Sequence, residues 1–360
     1  MSLAEKILRK KIPMFVHFDL TYHCNLKCVH CYVVPQERPE LSTEEIKGIL
    51  RQLAKAGTLC LSLSGGEPLV RRDFFEIAEY ARGLNLVPTL LTNATLIDGR
   101  IADRIAALNP LGVQISIYGA KPEIHDAVST VPGSFSKSIN AARMLVERGV
   151  KVTLAYIVMK GNVDYYQEVM ALVEEMEADF TVDENITPRM DGNRGPLAFQ
   201  INEDELLKIY RDPKINPIRE ITASAKLSGA NELRADVGCK ASHSYCSISP
   251  YGDVYPCGQL LLPCGNLREE SFEHIWQHSS NMHRARSATT YLPPVCSECE
   301  LLKYCQRCPG LALAEDGDLW GPSSRACRNA RIKKRAAEEQ QFANLYEKNK
   351  KGGDKNGEKA

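Results

Sequence analysis

The chain has 360 residues, and its 45 Lys and Arg side chains equal its 45 Asp and Glu side chains, so the formal net charge is zero. This balance gives no bulk attraction to nucleic acid or to an anionic membrane surface, and we expect neither as a partner. The mean hydropathy is −0.28, and no apolar run approaches the length of a membrane-spanning helix. The length suffices for one large domain and one smaller domain.

Cysteine usage narrows the class of protein further. The sequence has thirteen cysteines, and its basic N-terminal segment lacks the continuous apolar core of a secretory signal. We therefore expect metal ligation in a reducing, cytoplasmic compartment, not disulfides. Residues 1–11 are predicted to form a short amphipathic helix. Cys60 stands alone in an apolar run, whereas the other cysteines fall into a group of three and a group of nine.

Strands and helices alternate between residues 12 and 187. The spacing of apolar residues predicts strands at 15–20, 58–63, 86–91, 112–118, 150–159 and 178–182, and helices at 43–56, 73–82, 98–108, 136–148 and 165–177. Six such repeats predict a parallel sheet with outer helices, either a barrel-like arc or an open doubly wound sheet. In both architectures the functional site lies at the carboxyl ends of the strands.

The first cysteine group directly follows the first predicted strand. Cys24, Cys28 and Cys31 have the spacing C-x3-C-x2-C. Three thiolates so close together can bind three irons of a cluster that prefers four thiolate ligands. His23 and His30 are neighbours but fall outside the repeat, so we expect the fourth iron to be open to a ligand other than protein. The same spacing also suits a zinc site completed by a histidine.

A second motif, Gly65-Gly66-Glu67-Pro68, follows the second predicted strand. Together with the cysteine loop and the aromatic Tyr32 after it, this motif resembles the radical S-adenosylmethionine (SAM) enzymes over roughly residues 12–185. The resemblance implies an incomplete (β/α)6 barrel, open on one side, in which SAM binds the open iron through its amino and carboxylate groups. Reductive cleavage of SAM then yields methionine and a 5′-deoxyadenosyl radical, which abstracts a hydrogen atom from a substrate.

The Gly-Gly turn is the first part of the SAM site that the resemblance implies. Gly65 and Gly66 would allow the backbone to approach a ligand closely. With the Glu67 region they would hold the methionyl ammonium group of SAM. The alternative is that Glu67 only anchors the turn.

Other site residues are implied at the ends of strands. Asn93 and Ser116 match polar positions that contact SAM in the family, although both could simply cap strand ends. Tyr32 and Val33 are expected to pack on the adenine. Ser129 stands where many relatives have an arginine, so the group that binds the SAM carboxylate is open, with Lys121 and Arg143 as the alternatives.

The second half begins with a predicted bridge, residues 188–235, whose Asp191 and Arg194 are candidates for substrate contact. Residues 236–330 are rich in cysteines and loops, and we expect metal to supply much of their folding free energy. The cysteine spacing there, with the segment 265–276, resembles the SPASM extension of radical SAM enzymes, which holds two auxiliary [4Fe-4S] clusters. Residues 331–360 are predicted to form a charged helix and then a disordered tail.

The resemblance implies two auxiliary ligand sets, and therefore three [4Fe-4S] clusters in total. Auxiliary cluster I would take Cys239, Cys246, Cys257 and Cys308, and auxiliary cluster II would take Cys296, Cys299, Cys305 and Cys327. One spacing departs from the family, because two residues instead of three separate Cys305 from Cys308. Cys264 is left over and is expected to be a free thiol, with an alternative cluster ligand or a catalytic donor as the other interpretations. Two zinc sites with four cysteines each are the alternative.

The expected function is that of a radical SAM oxidoreductase that crosslinks or oxidises a peptide or protein substrate. Only 23 residues precede Cys24, too few for a leader-binding domain, so we expect a separate carrier protein and a ferredoxin- or flavodoxin-like reductant. The alternative substrate is a tetrapyrrole side chain in haem synthesis. A hypothesis of another class is a multi-cluster electron carrier without SAM chemistry.

Overall fold

The computed structural model describes residues 3–215 and 239–353, with side chains for 6–215 and 239–340. The described residues form two compact units. Unit 1 contains residues 3–200 and 239–290, and unit 2 contains residues 201–215 and 291–353. None of the helices in these ranges is both long enough and apolar enough to cross a membrane.

The strands and helices have the following bounds. The strands are β1 (Phe15–Thr21), β2 (Cys60–Gly65), β3 (Val87–Thr92), β4 (Gly112–Ile117), β5 (Val152–Ile157), β6 (Asp179–Asp183), β7 (Tyr245–Ile248), β8 (Asp253–Tyr255) and β9 (Gly265–Asn266). The helices are α1 (Leu3–Lys10), α2 (Thr43–Ala56), α3 (Phe74–Gly83), α4 (Gly99–Ala107), α5 (Pro122–Ser129), α6 (Ser134–Glu147), α7 (Tyr166–Glu175), α8 (Glu203–Tyr210), α9 (Phe272–His278), α10 (Ser280–Thr290), α11 (Pro294–Ser297), α12 (Pro309–Leu311) and α13 (Ser324–Gly353).

All nine strands belong to one open sheet in unit 1, with the order β6-β5-β4-β3-β2-β1-β7-β8-β9. Strands β1 to β6 are parallel neighbours in sequence order, which confirms the predicted α/β class and its open sheet. The first strand of the cysteine-rich region, β7, pairs parallel with β1, and β8 and β9 continue the sheet antiparallel. The region predicted as loop-rich therefore begins by extending the sheet of the core.

The two faces of this sheet differ in chemistry. Side chains alternate between the faces of a strand, and one face is apolar and buried, with Val16, Phe18, Leu61, Leu63, Val113, Ile115, Val152 and Leu154. The opposite face, which we call the polar face, carries His17, Asp19, Ser62, Thr89, Gln114, Ser116, Thr153, Thr181 and Asp183. Most of its positions are only half-buried. A doubly wound sheet buries both faces, so one-sided burial favours the barrel-like arc.

Local signals explain most of the helix boundaries. In α2, Ser42 and Glu45 form a reciprocal capping box. Ile46, Ile49 and Leu50 of the same helix form its buried stripe. Helix α5 was absent from the predicted elements. It is short, and its C-terminal residue lies against the cysteine loop.

Unit 2 is helical in its described part. Helices α8 and α13 pack on each other, and Arg211 pairs with Glu339 at 2.6 Å. Helix α13 begins at Ser324, whose main-chain N–H donates to Asp316 Oδ2 at 2.8 Å. It begins before the predicted start at residue 331 and includes residues 348–353, which were predicted as part of the disordered tail. Residues 354–360 of that tail and 216–235 of the predicted bridge lie outside the described residues.

Candidate metal and cofactor site

The cysteine loop lies at the carboxyl end of β1 and is tied to the end of α5. Lys27 N–H donates to Ser129 O at 3.2 Å, and Val29 N–H donates to Val128 O at 3.0 Å. Cys31 N–H donates to Cys28 O at 3.1 Å, which turns the chain between these two cysteines. These main-chain bonds hold the loop without using any thiol, so the sulfurs remain available as ligands.

The three thiols of this loop lie close enough to interact electrostatically. Burial, together with the charges of Cys31 and Cys24, raises the pKa of Cys28 to about 12 against the opposing hydrogen bond with Tyr118. Burial and the charges of Glu67 and Cys31 likewise raise the pKa of Cys24. Three thiolates in such a place need a cationic partner, and an iron–sulfur cluster is one that binds thiolates. Within the described ranges, no group of three or more His, Cys, Asp or Glu side chains is arranged around a position for a single metal ion.

Hydrogen-bond donors from separate parts of unit 1 reach the sulfurs of the loop. Leu26 N–H donates to Cys24 Sγ at 3.4 Å, and Asn93 Nδ2 lies 3.8 Å from the same sulfur. The Tyr118 hydroxyl lies 3.6 Å from Cys28 Sγ. Donors of this kind stabilise thiolates and orient metal ligands. The set of donors therefore fits a bound cluster.

The Gly-Gly turn packs directly on the backbone of the cysteine loop. A Cβ on Gly65 would lie 2.0 Å from Thr21 O, and one on Gly66 would lie 2.4 Å from His23 O. Gly65 also has φ +137°, where L-residues with side chains are strained. Gly66 N–H donates to Thr21 O at 2.8 Å, and Glu67 N–H donates to His23 O at 2.9 Å. The close approach that requires glycine is thus an approach to the loop itself.

Glu67 is fully buried and joins the ends of β2 and β3. Its carboxylate accepts hydrogen bonds from Leu69 N–H at 3.0 Å, Asn93 N–H at 2.8 Å and the Thr92 hydroxyl, which lies within 2.9 Å of both oxygens. Burial raises the pKa of Glu67 to about 7, although these donors oppose the rise. Both carboxylate oxygens therefore already have protein partners, as in the alternative in which Glu67 anchors the turn. Direct contact with SAM stays a prediction.

The other predicted SAM contacts lie at or near the carboxyl ends of the same parallel strands. Asn93 follows β3, and its Nδ2 also donates to Asn25 Oδ1 at 3.0 Å. Ser116 lies on the polar face near the end of β4. The Tyr32 side chain is 38% exposed, and its carbonyl accepts from Met190 N–H at 2.9 Å. The structure thus brings these residues to the cysteine loop, but it does not test their contact with SAM.

Ser129 and the bridge candidates have other partners. The Ser129 hydroxyl is buried and lies 2.6 Å from Ser134 Oγ, so it does not replace the missing arginine. Asp191 Oδ1 accepts from Asn193 N–H at 3.0 Å, which closes a local turn. Arg194 is exposed. A role for Asp191 and Arg194 in substrate contact stays a prediction.

His17 and Asp19 form a pair on the polar face that was not predicted from the sequence. His17 Nε2 lies 3.0 Å from Asp19 Oδ1. Burial alone would lower the pKa of His17, but the neighbouring Asp19 charge and hydrogen bond outweigh burial and raise it. Asp19 also acts electrostatically on Tyr32 and Tyr245. The alternation of polar and apolar residues in β1 was the signal that could have revealed this pair.

The four cysteines predicted for auxiliary cluster II lie in unit 2. Burial raises the pKa of Cys296 and of Cys305, and the charges of Cys327 and Cys299 act on both thiols in the same direction. The four residues predicted for this cluster therefore lie together. Cys308 belongs to the same unit.

The other predicted auxiliary I ligands, Cys239, Cys246 and Cys257, lie in unit 1. Cys246 is buried on β7, and burial and the charge of Cys264 raise its pKa. Arg286 is also buried, lies near both thiols and favours their charged forms. Nothing in the sequence singled out Arg286. The auxiliary I ligand set stays a prediction, as does the free thiol of Cys264.

Fold and site together define a radical SAM enzyme. A model of the radical SAM superfamily matches residues 19–174, and a model of the iron–sulfur cluster-binding domain SPASM matches residues 239–300. The chain therefore belongs to the radical SAM superfamily, among the members that carry a SPASM domain.

Curated relatives fall into two groups. An AdoMet-dependent heme synthase from Oleidesulfovibrio alaskensis is 30% identical over 319 residues, 81% of each chain. That of Methanosarcina barkeri is 29% identical over 85% of this chain and 94% of its own. The mycofactocin maturase MftC of Mycolicibacterium smegmatis is 30% identical over 82% of this chain and 77% of its own.

Solved structures share the fold. Streptococcus suis SuiB bound to S-adenosylmethionine has a TM-score of 0.71 at 21% identity, covering 89% of this chain and 79% of that chain. The enzyme anSMEcpe with bound AdoMet and a Cp18Cys peptide has a TM-score of 0.69 at 18% identity, covering 91% and 98%. At these identities the likeness shows the fold.

Proposed function

We propose that this chain cleaves SAM reductively and uses the resulting radical to abstract a hydrogen atom from a peptide or protein substrate. The observation that carries the proposal is the set of three thiols at the end of β1, with donors to Cys24 and Cys28 and the Gly65–Gly66 turn packed behind them. When bound there, a [4Fe-4S] cluster and SAM supply a 5′-deoxyadenosyl radical. The residues of the chain hold, orient and shield these groups.

Each part of the site has a proposed role. Cys24, Cys28 and Cys31 hold the cluster. Main-chain groups of the Gly65–Gly66 turn face the methionyl part of SAM, while Glu67 fixes the turn from behind. The side chains of Asn93, Ser116 and Tyr32 contact SAM from the neighbouring strand ends and from the loop. The predicted auxiliary clusters carry electrons or stabilise the cysteine-rich region.

The polar face supports a peptide substrate. Strands β1 to β7 contain no Lys or Arg, and their polar face carries the acidic side chains of Asp183 and of Asp19, which pairs with His17. A tetrapyrrole with several carboxylates would meet like charge at Asp183, whereas hydroxyl, amide or amino groups of a peptide would find hydrogen-bond partners. Relatives named mycofactocin maturase and the SuiB complex with its precursor peptide SuiA agree with this substrate class.

The second candidate is tetrapyrrole side-chain modification. It is favoured by the relatives named AdoMet-dependent heme synthase, which align over 81–85% of this chain. For either substrate we propose a cytoplasmic location and a ferredoxin- or flavodoxin-like reductant. A peptide substrate would also require a separate carrier protein.

The test uses the reconstituted, full-length protein under anaerobic conditions with SAM and dithionite. Formation of 5′-deoxyadenosine tests the enzyme class, and its absence would leave the electron-carrier alternative. Peptides encoded beside the gene and a carboxylated tetrapyrrole are then added in parallel, and the products are analysed by mass. A mass change only in the tetrapyrrole would refute the peptide proposal without affecting the proposed SAM chemistry.

A further inference from the structure

The hydroxyl group of Tyr118 lies against a sulfur of the cysteine loop. Tyr118 follows β4, is 6% exposed, and places its hydroxyl 3.6 Å from Cys28 Sγ. A thiolate can only accept a hydrogen bond, so when Cys28 is a metal ligand the tyrosine must be the donor.

The position of this hydroxyl is fixed by several contacts. Tyr118 N–H donates to His125 Nδ1 at 3.2 Å, and Asn162 Nδ2 donates to Tyr118 O at 3.2 Å. The ring meets the His30 ring edge-on, with centroids 5.1 Å apart, and packs beside the His125 ring at 5.0 Å. Val128, Met159 and Ile186 complete a buried apolar cluster around it, against which Cys28 also packs. So many contacts leave the hydroxyl little freedom to turn away from the sulfur.

We propose that Tyr118 is a positioning residue that raises the reduction potential of the cluster held by Cys24, Cys28 and Cys31. The inference rests on the proposed function, because it assumes a cluster at these thiols. Reduction adds negative charge to the irons and their thiolate ligands, so a donor to a ligand sulfur stabilises the reduced state more than the oxidised state. Tyr118 would thus ease delivery of the electron that SAM cleavage requires, without touching SAM.

The test is a redox titration of the full-length protein, followed by electron paramagnetic resonance. The cluster of interest is the one whose reduced signal changes when SAM is added. In Tyr118→Phe, the ratio of reduced to oxidised cluster at a fixed solution potential is expected to fall severalfold, at most about tenfold, where tenfold equals about 59 mV for one electron.

The matched control is Tyr251→Phe. Tyr251 is also buried, and its hydroxyl accepts a hydrogen bond from Gln36 N–H at 2.7 Å. A ratio that stays within twofold in Tyr118→Phe with full iron content, or an equal shift in Tyr251→Phe, would overturn the proposal. If no reduced signal responds to SAM, the proposed function fails instead.

A second measurement does not depend on a folded variant. In the wild-type protein, electron–nuclear double resonance should detect a hydroxyl proton coupled to this cluster that exchanges in D2O and is distinct from main-chain amide protons. Its presence would support the hydrogen bond to Cys28 even if Tyr118→Phe loses iron. Its absence would overturn the proposal.

Discussion

Replacing Glu67 with glutamine tests the role of this residue as a buried anchor. The carboxylate accepts from the main-chain N–H groups of Leu69 and Asn93 through different oxygens. A glutamine has one carbonyl oxygen, so its NH2 group must face one of these two donors. An unpaired buried donor costs about 1–3 kcal/mol. Glu67→Gln should therefore lower the free energy of unfolding by that amount.

The same substitution should remove a pH dependence. The pKa of Glu67 is raised from 4.5 to about 7 in the folded state, so the folded protein binds this proton more tightly than the unfolded chain. The resulting stability is fully present below about pH 4.5 and is lost as the pH rises through about 7. Between pH 5 and pH 8 the wild type should lose about 2–3 kcal/mol that Glu67→Gln does not lose.

Thermal unfolding at several pH values measures both effects. About 1 kcal/mol corresponds to about 2–4 °C for a domain of 150–250 residues. Glu76→Gln is the control, because Glu76 is exposed and pairs with the surface residue Lys47. If Glu67→Gln unfolds at the wild-type temperature with the wild-type pH dependence, the anchoring argument is wrong. Weaker SAM binding without a lower unfolding temperature would instead favour direct contact between Glu67 and SAM.

Three further substitutions probe other parts of the site. Gly66→Ala places a Cβ 2.4 Å from His23 O, so it should displace the cysteine loop and reduce SAM cleavage at least tenfold, measured as 5′-deoxyadenosine. Cys28→Ala should abolish SAM cleavage but leave the iron of the two auxiliary clusters, whereas loss of all iron would argue against separate sites. Cys264→Ala should leave the iron content unchanged if this thiol is free, and a loss of about four irons would make it a cluster ligand.

The sequence predicted those parts of the fold that depend on local signals. Six strands and five of the six helices between them could be predicted because apolar residues repeat with the period of each element. The placement of the cysteine loop at the carboxyl ends of the parallel strands followed from its position directly after β1.

Contacts between distant residues could not be predicted in this way. The pairing of His17 with Ser247 places β7 beside β1, across more than two hundred residues of sequence. The Tyr118–Cys28 contact joins residues 90 positions apart. Neither has a local signature, because strand register and side-chain packing are set by the whole sheet. The polar face could be predicted only in part. The alternation of polar and apolar residues within each strand is a local signal, but the continuity of the face across strands depends on their register.

The structure also changes how the two motifs relate to each other. Sequence resemblance treats the cysteine loop and the Gly-Gly turn as separate binders, one of iron and one of SAM. In the fold they are one assembly. The Gly66 backbone packs on His23, and Glu67 holds the Asn93 main chain. Asn93 Nδ2 in turn reaches Cys24 Sγ. A substitution in the turn can therefore disturb a ligand sulfur in two ways, through His23 and through Asn93. For this reason, loss of SAM cleavage in a turn variant does not by itself show that the turn binds SAM. Only the iron content and reduction potential, measured on the same sample, can separate the two explanations.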